Sequence, residues 1–174
     1  MSKSATSLTG VERTFPEDEI IVSKTDLKGK LVYANELFLT IADYTEPEIL
    51  GQPHNIIRHP DMPRCIFDLL WHTLKSGEEL FAYVVNRTKY GDHYWVFAHV
   101  TPTIDTNSNI IGYHSSRRVP TQRALDVIQP LYKTLKDAER ATTDRKQGLV
   151  NSKQILADML EDKGLRYDQF MYSL

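Results

Sequence analysis

The 174-residue chain has a single cysteine, Cys65. One thiol excludes an internal disulfide and any zinc knuckle of paired cysteines, and it fits a reducing compartment. Long apolar runs are also missing. Nowhere does the chain approach the roughly 20 consecutive apolar residues that a spanning helix needs. Met1 to Gly10 is Ser/Thr-rich without an apolar centre, so it does not read as a secretory signal. Nor is there an excess of one charge: 21 Lys and Arg against 23 Asp and Glu leave −2. That balance implies neither nucleic acid nor an anionic membrane as partner. Catalytic signatures are absent as well, with no nucleophile elbow, P-loop, dinucleotide glycine fingerprint or His-Glu-x-x-His helix. A soluble, cytoplasmic, non-enzymatic protein is expected. Its 41% hydrophobic residues suffice for one ordinary domain with an appendage.

What is present predicts an order of elements. Residues 1–10 are small and polar without periodicity, and are expected to be disordered. Ile20 to Thr25 and Leu31 to Ala34 are β-rich runs around a Gly-containing turn, so a hairpin is expected. Asn35 follows where a helix cap belongs, and Leu37, Phe38, Ile41 and Ala42 share one helical face. Thr45 and Glu48 have capping-box spacing for a short helix that Gly51 ends. Asp61 is expected to cap a longer helix, with Pro63 in its first turn. That helix carries Ile66, Phe67, Leu70, Trp71 and Leu74 as an apolar stripe and stops at Ser76-Gly77.

Three strands are expected next, over Leu80 to Thr88, Tyr94 to Ile104 and Ile110 to Arg118, separated by turn-forming clusters. From Thr121 the pattern is helical, with a stripe of Leu125, Ile128, Leu131, Tyr132 and Leu135. Pro130 is expected to kink or interrupt it. Gln147-Gly148 reads as a break, followed by a second amphipathic run up to Gly164 and a last short helix. Two strands, several short helices and three antiparallel strands make an α+β domain whose sheet cups its helices.

One stretch stands apart. Gly51 to Pro63 holds three prolines, two histidines, Arg58 and Asp61 within thirteen residues. Proline rings exclude a long helix or an inner strand there. Polar groups on so stiff a path suit either a ligand-facing wall or an awkward connector.

The words Tyr33-Ala34-Asn35, Gly51-Gln52-Pro53-His54-Asn55, Arg58-His59-Pro60-Asp61-Met62-Pro63 and Gly91-Asp92-His93-Tyr94-Trp95-Val96 resemble the PAS domain of bacterial aerotaxis (energy-taxis) receptors. The similarity spans roughly residues 18–120, leaving 1–17 as a flexible segment or cap and 121–174 as a helical extension for relay or dimerisation. It implies a PAS fold: a five-stranded antiparallel sheet with short helices on one face. It also implies a redox sensor that binds FAD non-covalently and relays flavin state to a chemotaxis signalling module. The chain is expected to carry neither a membrane anchor nor a signalling rod of its own. It is therefore most similar to the soluble single-PAS partner of a bipartite receptor, with a membrane-bound chemotaxis-type protein as partner and a homodimer as the expected assembly. One departure is noted: Glu79-Leu80-Phe81 stands where the family has a Pro-Trp pair.

A flavin asks for a donor–acceptor group at its pyrimidine edge, an apolar slot for its rings, and cations or backbone donors for its pyrophosphate. Asn86 shares a strand face with Ala82 and Val84 by period two and is the edge candidate. Its alternative role is to tie down a strand end. Tyr94, on a face with Val96, Ala98 and Val100, either reaches the ligand or fills core. Trp71 by its stripe is a core residue; the resemblance puts it beside the cofactor. His54, Arg58, His59 and Asp61 are implied contacts too, Arg58 offering the planar fork that suits phosphate. Otherwise Arg58 and Asp61 would form a surface pair worth about 0–1 kcal/mol. Asn35 is a cap first, and on the resemblance a bracket for the cofactor.

Three rivals are kept. Haem b would need a histidine near the long helix, His59 or His72, in a gas sensor; covalent haem is excluded because Cys65 lies outside a Cys-x-x-Cys-His attachment. A blue-light sensor would need a cysteine in the short helix, where His54-Asn55-Ile56-Ile57 stands instead. A cofactor-free interaction module would be colourless.

Overall fold

The computed structural model describes residues 7–174. Residues 1–6 of the segment expected to be disordered lie outside the described residues. From residue 7 onward the segment is tied to the domain: the Thr9 backbone N–H donates to the Gly91 carbonyl at 3.1 Å and its hydroxyl to Asp92 at 2.6 Å.

The expected hairpin is present as β2 (Ile21–Thr25) and β3 (Leu31–Ala34), and the three late strands are β4 (Leu80–Arg87), β5 (His93–Ile104) and β6 (Ile110–Arg118). These five pair antiparallel in the order β4-β5-β6-β2-β3. A two-residue strand, β1 (Glu12–Arg13), adds to them in parallel alongside His93 and Tyr94. The sheet is therefore mixed. Sequence could not reveal β1, because two residues carry no periodicity.

Helices α1 (Glu36–Ala42), α2 (Glu46–Ile49), the 3-10 helix His54–Ile57 and α3 (Arg64–Lys75) lie between β3 and β4. Asn35 caps α1, its Oδ1 accepting from the Phe38 N–H at 3.1 Å and from the Val22 N–H at 3.0 Å. Asn35 Nδ2 donates to the Ile20 carbonyl at 2.8 Å, so the whole amide joins β2 to α1. Glu48 closes the turn before α2 by accepting both the Thr45 N–H (2.9 Å) and its hydroxyl (3.0 Å). Phe38, Ile41 and Ala42 then bury one helical face against Ile21, Leu31, Tyr94 and Val96.

Two expectations need correction. Asp61 does not cap α3: the cap residue is Pro63, which offers no side-chain hydrogen bond. Instead Glu139, distant in sequence and 5% exposed, caps it from outside. Its carboxylate accepts from the Cys65 N–H (3.0 Å), Arg64 Nε (3.1 Å) and the Ser152 hydroxyl (3.2 Å). A helix N-terminus favours such a negative charge. Nor does Gly148 break the chain. It is buried inside α5 (Arg145–Lys163), where an added Cβ would meet the Glu139 carbonyl oxygen at 2.6 Å. The glycine permits the close approach of two helices rather than a turn.

The preceding helix, α4 (Gln122–Arg140), is a single helix with Pro130 inside it. With α5 and α6 (Tyr167–Tyr172) it folds back on the sheet. Ala124, Leu125, Ile128, Tyr132, Leu135, Leu156, Phe170 and Met171 pack against Tyr83, Val85 and Trp95, residues that face away from α1. The Tyr132 hydroxyl donates to the Tyr83 carbonyl at 2.6 Å. None of the described helices is long and apolar enough to cross a membrane.

Candidate functional site

Strands place alternate side chains on opposite faces. Val84 and Asn86 of β4, Ala98 and Val100 of β5, and Tyr113, Ser115 and Arg117 of β6 therefore turn toward α3 rather than toward α4. Across from them α3 presents Phe67, Leu70, Trp71 and Leu74. Between these walls lies a cavity of about 240 Å³. The small residues Ala98 and Val84 leave the space, and the aromatic and aliphatic side chains make it an apolar slot. Trp71 is fixed edge-on against Tyr113, ring centres 5.3 Å apart. Below it runs the turn at Gly29, where an added Cβ would come 3.5 Å from the indole ring.

The 3-10 helix and its flank close the slot. His54, Asn55 and Arg58 line it, and the Arg58 backbone bridges to Asn86 on β4. Three prolines and the short helix hold this path without a long hydrogen-bond ladder. Arg58 lays its guanidinium over the Phe67 ring at 4.1 Å, with a long contact of 3.4 Å from Nη2 to the Met62 carbonyl. Burial lowers the Arg58 pKa, and the Glu139 charge partly offsets this.

Of the residues expected at the site, the fold brings His54, Arg58, Trp71 and Asn86 to the cavity. It does not bring Asn35, His59, Asp61 or Tyr94. Asn35 is the α1 cap already described. His59 is buried behind the wall, its Nδ1 accepting from the Asp61 N–H at 3.2 Å and its ring 5.8 Å from that of His93. The exposed Asp61 carboxylate faces Arg140 of α4 at 3.2 Å, so the Arg58–Asp61 surface pair does not form. Tyr94 is fully buried among Phe38, Ile41 and Val96. Its hydroxyl has no partner among the described residues, and burial pushes its pKa well up.

Asn86 is 4% exposed, and its amide, which makes no hydrogen bond to a described residue, opens onto the cavity.

Sequence reading missed Arg117. The side chain is 2% exposed. It is held by the Ser23 hydroxyl, by Ser115 Oγ at 2.9 Å from Nε, and by His54 Nε2 at 3.3 Å. Burial and the neighbouring guanidinium push His54 down to about 3, so its ring is neutral and can accept from Arg117. Burial also pushes Arg117 itself down to about 10, leaving it charged at neutral pH. The alternation Tyr113, Ser115, Arg117 was available as a signal, but Arg118 beside it made the choice of face ambiguous.

The charge of the lining is one-sided. Lys28 at the rim, Arg58 in the wall and Arg117 at depth are cationic, and no carboxylate among the described residues lines the cavity. The haem candidates fall outside it: His72 is exposed on α3 with Nδ1 2.8 Å from the Asp68 carbonyl, and His59 is behind the wall. Cys65 is buried under Glu139 and Ser152 and likewise does not line the slot.

Comparison with known proteins supplies the lineage. Residues 31–117 match the family model described as the PAS fold. The aerotaxis receptor of Escherichia coli (strain K12) is 42% identical over 134 residues, covering 77% of this chain and 26% of the receptor. The chain thus spans about a quarter of that relative's length. Among solved structures, the dark structure of the blue-light photoreceptor Aureochrome1 LOV superposes with a TM-score of 0.57 at 22% identity, over 63% of this chain and 82% of that one. A light-oxygen-voltage domain studied with a flavin analogue gives 0.56 at 19% identity, over 66% and 86%. The cupped sheet, the stiff Gly51–Pro63 wall and the family match over residues 31–117 place this chain in the PAS fold family.

Proposed function

We propose that this chain is a sensor that holds a flavin nucleotide, FAD, non-covalently in the α3–sheet cavity and reports its redox state to a chemotaxis-type signalling partner. The observation that carries the reading is the match between the lining and such a ligand: an apolar slot, an unpartnered amide at Asn86, and cations with no acid. The 42% identity to an aerotaxis receptor and the flavin named for a structural neighbour support it.

In this reading Phe67, Leu70, Trp71 and Val84 take the ring faces and Asn86 takes the polar edge. Arg58 and Lys28 serve the phosphates, where a planar fork and a mobile ammonium both suit anionic oxygen. The ligand would supply reversible two-electron chemistry. Asn86 can answer a change in the edge it faces by reversing its amide, since the oxygen and NH2 differ only in orientation. Its strand lies between the cavity and α4, so a shift there reaches the helical cover.

A second link runs from α3 outward. Its N-terminus is capped by Glu139, its Asp68 pairs with Lys153 of α5 at 2.7 Å, and Asp61 before it meets Arg140. Movement of α3 is thus felt by α4 and α5, the helices proposed to meet a membrane-bound partner or a second copy in the cytoplasm.

The test is the absorption spectrum of purified protein before and after dithionite, followed by chromatography of the released chromophore. Two broad bands in the near-ultraviolet and blue that bleach on reduction, with FAD released on denaturation, are expected. A Soret band, or colourless protein that takes up no added FAD, overturns the proposal.

A further inference from the structure

Arg117 has a feature that simple cross-linking does not account for. A guanidinium buried in low dielectric is normally matched by a carboxylate, because an unpaired charge there costs several kcal/mol. Here its partners are two hydroxyls and a neutral imidazole, all uncharged. Nη1 is sealed from solvent and has no hydrogen-bond partner among the described residues. The Phe38 ring, 5.3 Å from the guanidinium carbon, offers only a quadrupole. The fold thus keeps a positive charge at the deep end of a cavity, and the described residues provide no counter-charge.

We propose that this missing counter-charge is the reduced ligand: Arg117 binds the anionic, two-electron-reduced flavin ring more tightly than the neutral oxidised ring. This rests on the flavin reading above. The balance is simple. The oxidised ring accepts two electrons from a donor, dithionite in the assay below, and one proton from water. One negative charge remains on the ring. Arg117 offsets that charge, so a second proton need not be taken up. Ser23, Ser115 and His54 hold the guanidinium in place and, being neutral, do not cancel it. Affinity then depends on redox state, which is what a sensor requires: a ligand shifts a conformational equilibrium only by its differential affinity.

The experiment is titration of the full chain with FAD, oxidised and dithionite-reduced, for the wild type, Arg117→Lys and Arg117→Met, with melting of each ligand-free protein. The wild type is expected to prefer reduced FAD. In Arg117→Met the preference should fall at least tenfold, read as a midpoint lower by about 30 mV for a two-electron couple. Arg117→Lys should keep most of it. Ligand-free Arg117→Met should melt no lower than the wild type, because removing an unpaired buried charge removes its cost. An unchanged preference in Arg117→Met overturns this inference while leaving the flavin reading intact. Failure of the wild type to bind FAD in either state ends both. Should Arg117→Met not fold, Arg117→Gln takes its place; if neither neutral variant folds, the guanidinium is a structural cross-link and the proposal fails.

Discussion

A buried amide is stable only where its donors and acceptors are met, and two asparagines here illustrate opposite solutions. Asn35 satisfies its amide inside the fold, on Val22, Phe38 and Ile20. Asn86 turns its amide to the cavity. Asn35→Ala should therefore cost about 1–2 kcal/mol of stability, the worth of a helix cap, without altering FAD affinity. Asn86→Ala should do the reverse. Urea unfolding of the ligand-free protein should change by less than about 1 kcal/mol, while FAD binding weakens by about 1–3 kcal/mol, a Kd higher by roughly 5- to 150-fold. Equal affinities for wild type and Asn86→Ala would remove this residue from the site. The His54 ring makes a third case. Its folded pKa is about 3 against 6.5 when free. The unfolded chain thus takes up a proton as pH falls below about 6.5, and the folded chain does not until about 3. Stability is full above that upper value and declines through the interval, with a limiting slope of about 1.4 kcal/mol per pH unit. Melting at pH 7 and pH 5 should show a smaller loss for His54→Gln than for the wild type. His59 and His114, both shifted downward mainly by burial, leave a residual slope of the same sign.

At the scale of elements, local chemistry was readable and long-range partnership was not. The hairpin, the Asn35 cap, the Glu48 closure and the three late strands each follow from residues within a few positions of one another. The Ile66–Leu74 stripe was visible as apolar, but its division between core and cavity depends on where β4 and β5 lie across from it. Local sequence points to Asp61 as the cap on α3 because the true cap, Glu139, is 74 residues from Cys65. Its one local trace is an acid that continues the Ile128, Tyr132, Leu135 stripe. Gly148 resembles a breaker for a similar reason, since only the neighbouring helix explains it. Glu139→Gln tests the cap. It keeps the shape but removes the charge facing Arg64 and the α3 N-terminus, and should cost about 3 kcal/mol in urea unfolding. Hydrogen exchange at the Cys65 amide should accelerate with it. Exchange unchanged from wild type would show that α3 does not depend on α4 for its first turn.

The whole molecule is a sheet with a slot of about 240 Å³ on one face and a helical cover on the other. The cover is apolar where it meets the sheet: Tyr132 of α4 lies against Trp95 with ring centres 6.1 Å apart, and Tyr172 of α6 caps Phe81 at 4.7 Å. Such a contiguous surface does not stay exposed to water in a monomeric protein. Ending the chain before Gln122 uncovers Tyr83, Val85, Trp95 and Phe97 together, so the truncated protein should associate through this face. Light scattering over a concentration series should show a mass that grows with concentration, and Trp95 fluorescence should shift to the red at the lowest concentrations. The cavity lies on the opposite face, so FAD binding should persist in whatever fraction stays folded. A truncated protein that remains monomeric with wild-type Trp95 emission would mean that the sheet face does not need its cover. If it forms a discrete dimer, α4 to α6 hold a place that a second copy can take, and relay becomes an exchange between intramolecular and intermolecular cover. That exchange would also make the partner's affinity depend on how firmly Glu139 and Arg140 hold α4 to the segment around α3.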